Sequence, residues 1–314
     1  LVLPAFEEAA VLSRHLDRLD SQAELFAPSY STFARLHPKA ELAETARALG
    51  VAVPRTEVAR SKAELSKALS GYDRYMARPS YSRGGVELFT NAGPLAGAMR
   101  IEDCHPTPTN PWVVQEFVDG GDVCSFSVCH HGRIAAHSAY VHPREIEHAG
   151  GIVFESVYEP ETLAVADRIV RAVEYHGQIS FDFRRSNGRI VLLECNPRPT
   201  AGVVVMSPQL FVDALMDREP RGVRWAEPGT RRKISFALLR DMVLHWKEAP
   251  QDLEHLFSEA KELYGDRNDM LPGLYQLLSY GQVLAYRLTG GKETRNTLVA
   301  AYFDGVSWNG EELP

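Results

Sequence analysis

Asp182, Glu194, Asn196 and Arg198 fall within one stretch, GQISFDFRRSNGRIVLLECNPRPTAG, residues 177–202, whose pattern predicts two strands folded back on each other. In ISFDF, Ile179, Phe181 and Phe183 take one face and Ser180 and Asp182 the other. In IVLLECN, Val191, Leu193 and Cys195 take one face and Leu192, Glu194 and Asn196 the other. The loop decides whether the carboxylates meet. A two-residue loop of Asn187 and Gly188 puts Asp182 and Glu194 on opposite faces. A three-residue loop, Ser186–Gly188, with Gly188 left-handed and a bulge, opposes Arg185 to Arg189 and Asp182 to Leu192. Glu194 then lies diagonally from Asp182 on one face. The three-residue loop is expected, because it also sets Ile179, Phe181 and Phe183 against Val191, Leu193 and Cys195. Two carboxylates and an amide oxygen without a thiol suit Mg²⁺, or Mn²⁺, with phosphate oxygens and water completing the shell. Pro197 stops the ladder and Arg198 projects beyond it. A hairpin with one solvated face would carry the same residues without a metal, so the rest of the chain has to decide.

The elements that must position this hairpin follow in order. LVLP at the start reads as a buried strand and Glu7–Leu19 as a helix with Ala9, Leu12, Leu16 and Leu19 inward, the end of an α/β unit that lacks its earlier part. Pro38 opens a helix that Gly50 closes, with Leu42, Ala46 and Leu49 as its stripe. VAVP (51–54) reads as a short strand, and Ser61 with Glu64 caps a helix ended by Gly71. YDRYMARPS is a strand entering SYSRGG, after which VELF resumes as a strand. Ser80, Ser82, Arg83, Gly84 and Gly85 offer backbone N–H groups and a cation to a polyphosphate. PWVVQEFVDGGD is a buried strand broken at Gly120-Gly121, with Glu116 and Asp122 beside the break. VCSFSVCHHGRIAAHSAYVH turns at His130-His131-Gly132, and its histidines, with His148, match no zinc spacing. GGIVFESV is a strand and Glu161–Tyr175 a helix. Beyond Pro208 the helices Gln209–Asp217, Arg232–Trp246, Gln251–Tyr264 and Leu271–Leu288 follow, and AYFDGVSWNG reads as a terminal strand with a turn. Arg144 is a candidate partner for a substrate carboxylate.

The 314 residues suffice for two domains or one elaborate one, and 45% hydrophobic with 24% charged residues is an ordinary globular composition. A formal net charge of -7 argues against a nucleic-acid backbone as the main partner. Cys104, Cys124, Cys129 and Cys195 form no CxxC pair and read as reduced thiols. No secretory or lipidation motif is visible, and the Leu271 run is interrupted by Gln276, Ser279, Gly281 and Gln282. A cytoplasmic, membrane-free protein is expected.

Lys39, Arg78, the RPSYSRGG flap, Glu116 with Asp122, Asp182, and the ECNPRP run with Glu194, Asn196 and Arg198 occur in one order. Together they resemble the ATP-grasp superfamily over roughly residues 35–205. The flap is most similar to that of carbamoyl phosphate synthetase. The resemblance implies an α/β (α+β) fold in which two subdomains sandwich ATP, one bearing a mobile lid, after the remnant of a Rossmann-like domain. Its implied divisions are residues 1–34, 35–118 with a lid at about 71–114, 119–230 with the Mg²⁺ site, and a mainly helical extension, 231–314. Lys39, Arg78, Ser82, Gly84 and Gly85 would then hold the phosphates, and Glu116, Phe117 and Val118 the adenine. Asp122 would take the ribose, although glutamate is usual there. Asp182, Glu194 and Asn196 would hold Mg²⁺, and Arg198 would stabilise the transferred phosphoryl group. The implied activity is an ADP-forming ligase that activates a carboxylate as an acyl phosphate for an amine. A carboxylate–thiol or carbamate-type ligase and a nucleotide-binding module without ligase activity are the alternatives. The implied partners are small-molecule carboxylate and amine substrates, with a homodimer as the assembly to test.

Overall fold

The structure is a computed structural model. It describes residues 1–19, 23–82, 87–146, 150–265, 268–289, 308 and 310. Arg83, Gly84, Gly85 and His148 lie outside the described residues, as does most of the expected terminal strand.

Two sheets carry the chain. The smaller has the order β1 (Thr56–Ala59), β4 (Trp112–Glu116), β2 (Tyr75–Pro79), β3 (Phe89–Thr90). Helix α4 (Lys62–Leu69) covers it, packing Leu65, Ala68 and Leu69 against Ala59, Ala77, Trp112 and Val114. Ser61 caps that helix by accepting the Glu64 N–H at 3.2 Å. The expected strand at Val51–Pro54 begins instead at Thr56, after Pro54.

The larger sheet runs β12 (Lys261–Glu262), β11 (Arg231–Lys233), β7 (Gly150–Val157), β6 (Arg133–Ile146), β5 (Gly121–His130), β8 (Gly177–Ser186), β9 (Arg189–Asn196), with β10 (Arg224–Trp225) pairing β6. Its main core lies under α3 (Lys39–Ala48) and α5 (Pro160–Ala172), where Leu42, Ala46, Ala166, Ile169 and Val170 meet Phe181, Phe183, Ile190, Leu192 and Cys195. The opposite face packs Phe126, Val128 and Ala136 under α6 (Pro208–Met216). The β5–β6 turn falls where expected, with His131 (φ 45°) and Gly132 (φ 83°) as a two-residue left-handed loop.

The β8–β9 hairpin corrects the expected register. Ser186 pairs with Arg189, so Asn187 (φ 50°) and Gly188 (φ 76°) alone form the loop. Two left-handed residues match the twist of the flanking strands, and Asn-Gly is the pair that adopts them most readily. The extra residue sits further along. Phe183 pairs with Leu192 and Asp182 with Glu194, leaving Leu193 as a bulge. The bulge reverses the alternation. Ile190 and Leu192, not Val191 and Leu193, enter the core, and Cys195 follows them on the buried side.

The ends differ more. At the start, Val2 makes only an isolated bridge to Leu25, and α1 (Glu8–Arg14) buries Ala9 and Ala10 while Leu16 is exposed in the 3₁₀ turn that follows. Helix α2 (Tyr30–Leu36), absent from the sequence expectation, buries Phe33 and Leu36. Arg231–Lys233 pairs antiparallel with β7, so the helix expected from Arg232 is α7 (Ser235–Leu244). The helix expected over Gln251–Tyr264 is α8 (Ala249–Phe257) followed by β12. The last described helix is α9 (Leu271–Thr289).

Candidate active site

The register sets a row of side chains across four strands. Tyr140 pairs with Cys124, Cys124 with Asp182, and Asp182 with Glu194. Directly opposed residues share a face. Asn196 pairs with Ser180 one step along, and its Nδ2 donates to Asp182 Oδ2 at 3.3 Å. Cys124 is the ladder partner of Asp182, and Tyr140 Oη lies 3.0 Å from Thr200 Oγ1. The bulge at Leu193 therefore does what the three-residue loop was invoked to do: it brings Asp182 and Glu194 together.

Glu194 also receives two cations from elsewhere. Arg78, in β2 of the smaller sheet, donates Nη1–H to Glu194 Oε2 at 2.8 Å and Nη2–H to the Leu193 carbonyl at 3.1 Å. Lys39 opens α3 after Pro38, and its Nζ lies 3.6 Å from Glu194 Oε1 and donates to the Ser82 carbonyl at 2.8 Å. Its own N–H bonds the Ser80 carbonyl at 3.2 Å, which ties the helix start to the strand end before the flap. Lys39 is buried, and burial lowers its pKa to about 8 although Glu194 opposes the change. His37, two residues earlier, is pushed down to about 3 by burial and by Lys39.

The two carboxyls diverge. Burial and the charge of Glu194 raise Asp182 to about 6. Burial also acts against ionised Glu194, but Lys39 and Arg78 together outweigh it and hold that carboxyl at about 2. Opposed neighbours with such different environments are typical of sites that handle charge.

Arg198 follows the hairpin. Its N–H bonds the Asn196 carbonyl at 2.7 Å, its own carbonyl accepts Ser180 Oγ–H at 3.0 Å, and its guanidinium lies 4.4 Å from the centre of the Phe6 ring. Nε of Arg198 and Nε of Arg78 are buried N–H donors without a hydrogen-bond partner among the described residues. Buried cationic donors in that state suit an anionic oxygen.

A wider cleft adjoins this cluster. Glu116, Phe117 and Val118 line a cavity of about 550 Å³ with Val53, Gly120, Asn187 and Val191. Asp122 lines a neighbouring cavity of about 260 Å³ with Arg78, Cys124, His142, Asp182, Leu193 and Glu194. Two candidate side chains are already engaged. Glu116 Oε1 accepts the Arg55 N–H at 2.9 Å, and Asp122 is 2.9 Å from Arg184 Nε.

A family model described as an ATP-grasp domain matches residues 37–202, more than half of the chain. The chain belongs to the ATP-grasp family. Solved structures share its fold at low identity. The N5-carboxyaminoimidazole synthetase of Staphylococcus aureus, complexed with ADP, is 14% identical at a TM-score of 0.56, over 87% of this chain and 78% of that one. The phosphoribosylamine–glycine ligase of Thermotoga maritima is 16% identical at 0.54, over 68% of this chain and 62% of that one. The carboxyaminoimidazole ribonucleotide synthase of Aspergillus clavatus, complexed with ATP, is 14% identical at 0.54, over 70% and 61%. This chain thus spans 62% and 61% of the length of the last two. Among the described residues no helix is long and apolar enough to cross a membrane.

Within the ATP-grasp fold, the donor set of Asp182, Glu194 and Asn196 fits a hard divalent cation. It offers oxygen alone, and among the described residues Asp182 faces Glu194 with no cation of its own within salt-bridge distance. Among the described residues no group of three or more His, Cys, Asp or Glu is placed to hold a metal ion.

Arg144 requires a correction. It is held by Asp241, Glu248 and Asp252, each at 2.6 Å, so protein carboxylates occupy it and no substrate carboxylate is needed. Val53, Val191, Leu193, Cys124 and His142 line the cleft without having been picked out as site residues. The Asn-Gly loop was the signal for Val191 and Leu193, since two residues in the turn put Val191 opposite Arg184 and outside the core.

Proposed function

We propose that this ATP-grasp chain is an ATP-dependent, ADP-forming ligase that activates a carboxylate as an acyl phosphate and passes the acyl group to an amine. The observation that carries the proposal is Glu194, gripped by Lys39 and Arg78 while opposing Asp182. Phosphoryl transfer needs cations on the equatorial oxygens and carboxylates for a divalent ion, with little other chemistry from the protein.

In this assignment Lys39, Arg78, Ser82, Gly84 and Gly85 hold the phosphates, and Glu116, Phe117 and Val118 face the adenine. Glu116 is tied to Arg55 through both its side chain and its backbone N–H. Asp122 takes the ribose only by yielding its pairing with Arg184. Asp182, Glu194 and Asn196 would hold Mg²⁺, or Mn²⁺, which when bound neutralises charge on the phosphate oxygens. A substrate carboxylate oxygen bonds to the γ-phosphorus as the bond to the bridging oxygen of ADP breaks. Arg198 holds the charge that spreads over the transferred group. The amine nitrogen then bonds to the acyl carbon, and phosphate leaves with the carbon–oxygen electron pair and takes up the proton that the nitrogen loses.

The test is a panel of carboxylate and amine pairs assayed for nucleotide products. ADP and phosphate are expected, with hydroxylamine in place of the amine giving a hydroxamate. AMP and pyrophosphate would overturn the mechanism, and MgATP binding without turnover across the panel would favour a nucleotide-binding module.

A further inference from the structure

Trp308 packs beside the backbone that carries Lys39. It is 6% exposed, and its backbone N–H donates to Glu7 Oε2 at 2.9 Å, a carboxylate that is itself buried. Its indole meets three aromatic rings steeply inclined to it: Tyr81 at 5.1 Å, Tyr30 at 5.6 Å and Phe33 at 5.8 Å. The ring of His37 lies at 6.2 Å. Gly310, left-handed at φ 89°, passes so close to Tyr81 that a Cβ would strike its ring.

Two of these neighbours flank Lys39. His37 is two residues before it, across Pro38. Tyr81 precedes Ser82, whose carbonyl accepts the Lys39 ammonium at 2.8 Å. Tyr81 is itself clamped, its N–H donating to Asn110 Oδ1 at 3.1 Å and its carbonyl accepting Asn110 Nδ2–H at 3.2 Å. The indole is thus wedged between the two backbone segments that fix where the Lys39 ammonium can sit.

We infer that Trp308 is a positioning residue for Lys39: the tail aligns the phosphate-binding cation from more than 200 residues away in sequence. This rests on the assignment of Lys39 to the ATP phosphates. It extends that assignment, because Trp308 lies outside the region matched by the ATP-grasp family, which ends at residue 202. A wedge acting through Lys39 affects ligands that carry phosphates and leaves the nucleoside alone. A wedge that merely stabilises the fold affects both.

The experiment uses the full chain and measures MgATP and adenosine binding by calorimetry for the wild type, Trp308→Ala, Trp308→Phe and Trp308→Leu. Trp308→Ala is expected to weaken MgATP on the order of tenfold, the worth of one or two aromatic contacts, and to leave adenosine within about twofold. Trp308→Phe keeps an aromatic ring and the backbone bond to Glu7, and should recover most of the loss. If Trp308→Ala does not fold, Trp308→Leu decides, since it keeps an apolar plug and removes the ring contacts. Equal weakening of MgATP and adenosine, or MgATP binding indifferent to Trp308→Ala and Trp308→Leu alike, overturns the inference and leaves the ligase proposal standing. A folded wild type that binds no MgATP overturns both.

Discussion

Asp182→Asn should make the metal-free protein more stable while abolishing its activity. Burial and the facing charge of Glu194 lift the Asp182 carboxyl from 3.8 to about 6. A shift of that size is worth about 3 kcal/mol. A carboxyl that binds its proton more tightly when folded imposes no penalty below about pH 4. The penalty grows as the pH climbs towards 6 and is complete above it. Glu194 has the opposite sign: lowered from 4.5 to about 2, it supports the fold above pH 4.5 and loses that contribution as the pH falls towards 2. Replacing Asp182 removes its penalty but sets a second amide beside Asn196 Nδ2, now 3.3 Å from Asp182 Oδ2, at a cost of about 1 kcal/mol. The net gain is about 2 kcal/mol at pH 8, or about 4 °C in Tm, and it should turn into a loss of up to about 1 kcal/mol at pH 4. Thermal melts followed by circular dichroism, in chelator at pH 4, 6 and 8, measure this. Excess Mg²⁺ should then raise the Tm of the wild type and not that of the variant. A variant less stable than the wild type at pH 8 without metal, or equally stabilised at pH 4 and pH 8, would refute the account of the charges.

Glu194→Gln should lower Mg²⁺-dependent ADP release by at least about 100-fold, and it should cost about 3 kcal/mol in a denaturant titration because Lys39 and Arg78 lose their shared counter-charge. Arg198→Lys keeps the charge without the planar fork; ATP affinity by calorimetry should stay within a few-fold while turnover falls about 10³-fold. Arg144→Met leaves the buried carboxylate of Asp252 unpaired and Asp241 with His245 alone, and should cost about 3–5 kcal/mol by urea melt, with cleavage near α7 and α8 in limited proteolysis; a loss under about 1 kcal/mol would show the cluster to be incidental. Gly120→Ala puts a Cβ against the Arg185 carbonyl at φ 141°, so soluble yield and Tm should both drop.

Much of the site was legible because it is written in local pattern. The alternation of ISFDF, the Pro38 and Gly50 boundaries of α3 and the His131-Gly132 turn are all set by residues within a few positions of one another. What was missed depends on partners distant in sequence. Alternation alone could not reveal that Leu193 would bulge, since that follows from Ile190 and Leu192 finding the core under α3 and α5. Arg231–Lys233 reads as a helix start from the apolar spacing after it, yet its backbone completes the ladder of β7. Lys233 then reaches the end of α8, donating to the Leu256 carbonyl at 2.6 Å and the Ser258 carbonyl at 2.9 Å. Arg144 looked free because its three carboxylate partners lie about a hundred residues downstream.

The asymmetry between the two carboxylates indicates how the site divides its work. Glu194 draws in a cation from each side, Arg78 from the smaller sheet and Lys39 from the start of α3, so it links the larger sheet to both. That pairing leaves its charge largely met before any ligand arrives. Asp182 sits among Cys124, Asn196 and Glu194, none of which supplies a positive charge. Of the two, Asp182 therefore gains more from a divalent cation, while Glu194 gains more from keeping Lys39 and Arg78 in register. Loss of Asp182 should accordingly fall mainly on metal affinity, and loss of Glu194 on the alignment of the cations, so that excess Mg²⁺ partly restores activity to Asp182→Glu and does nothing for Glu194→Gln. ADP release titrated with Mg²⁺ separates the two, and equal rescue of both variants would mean that the carboxylates act as one undivided metal site.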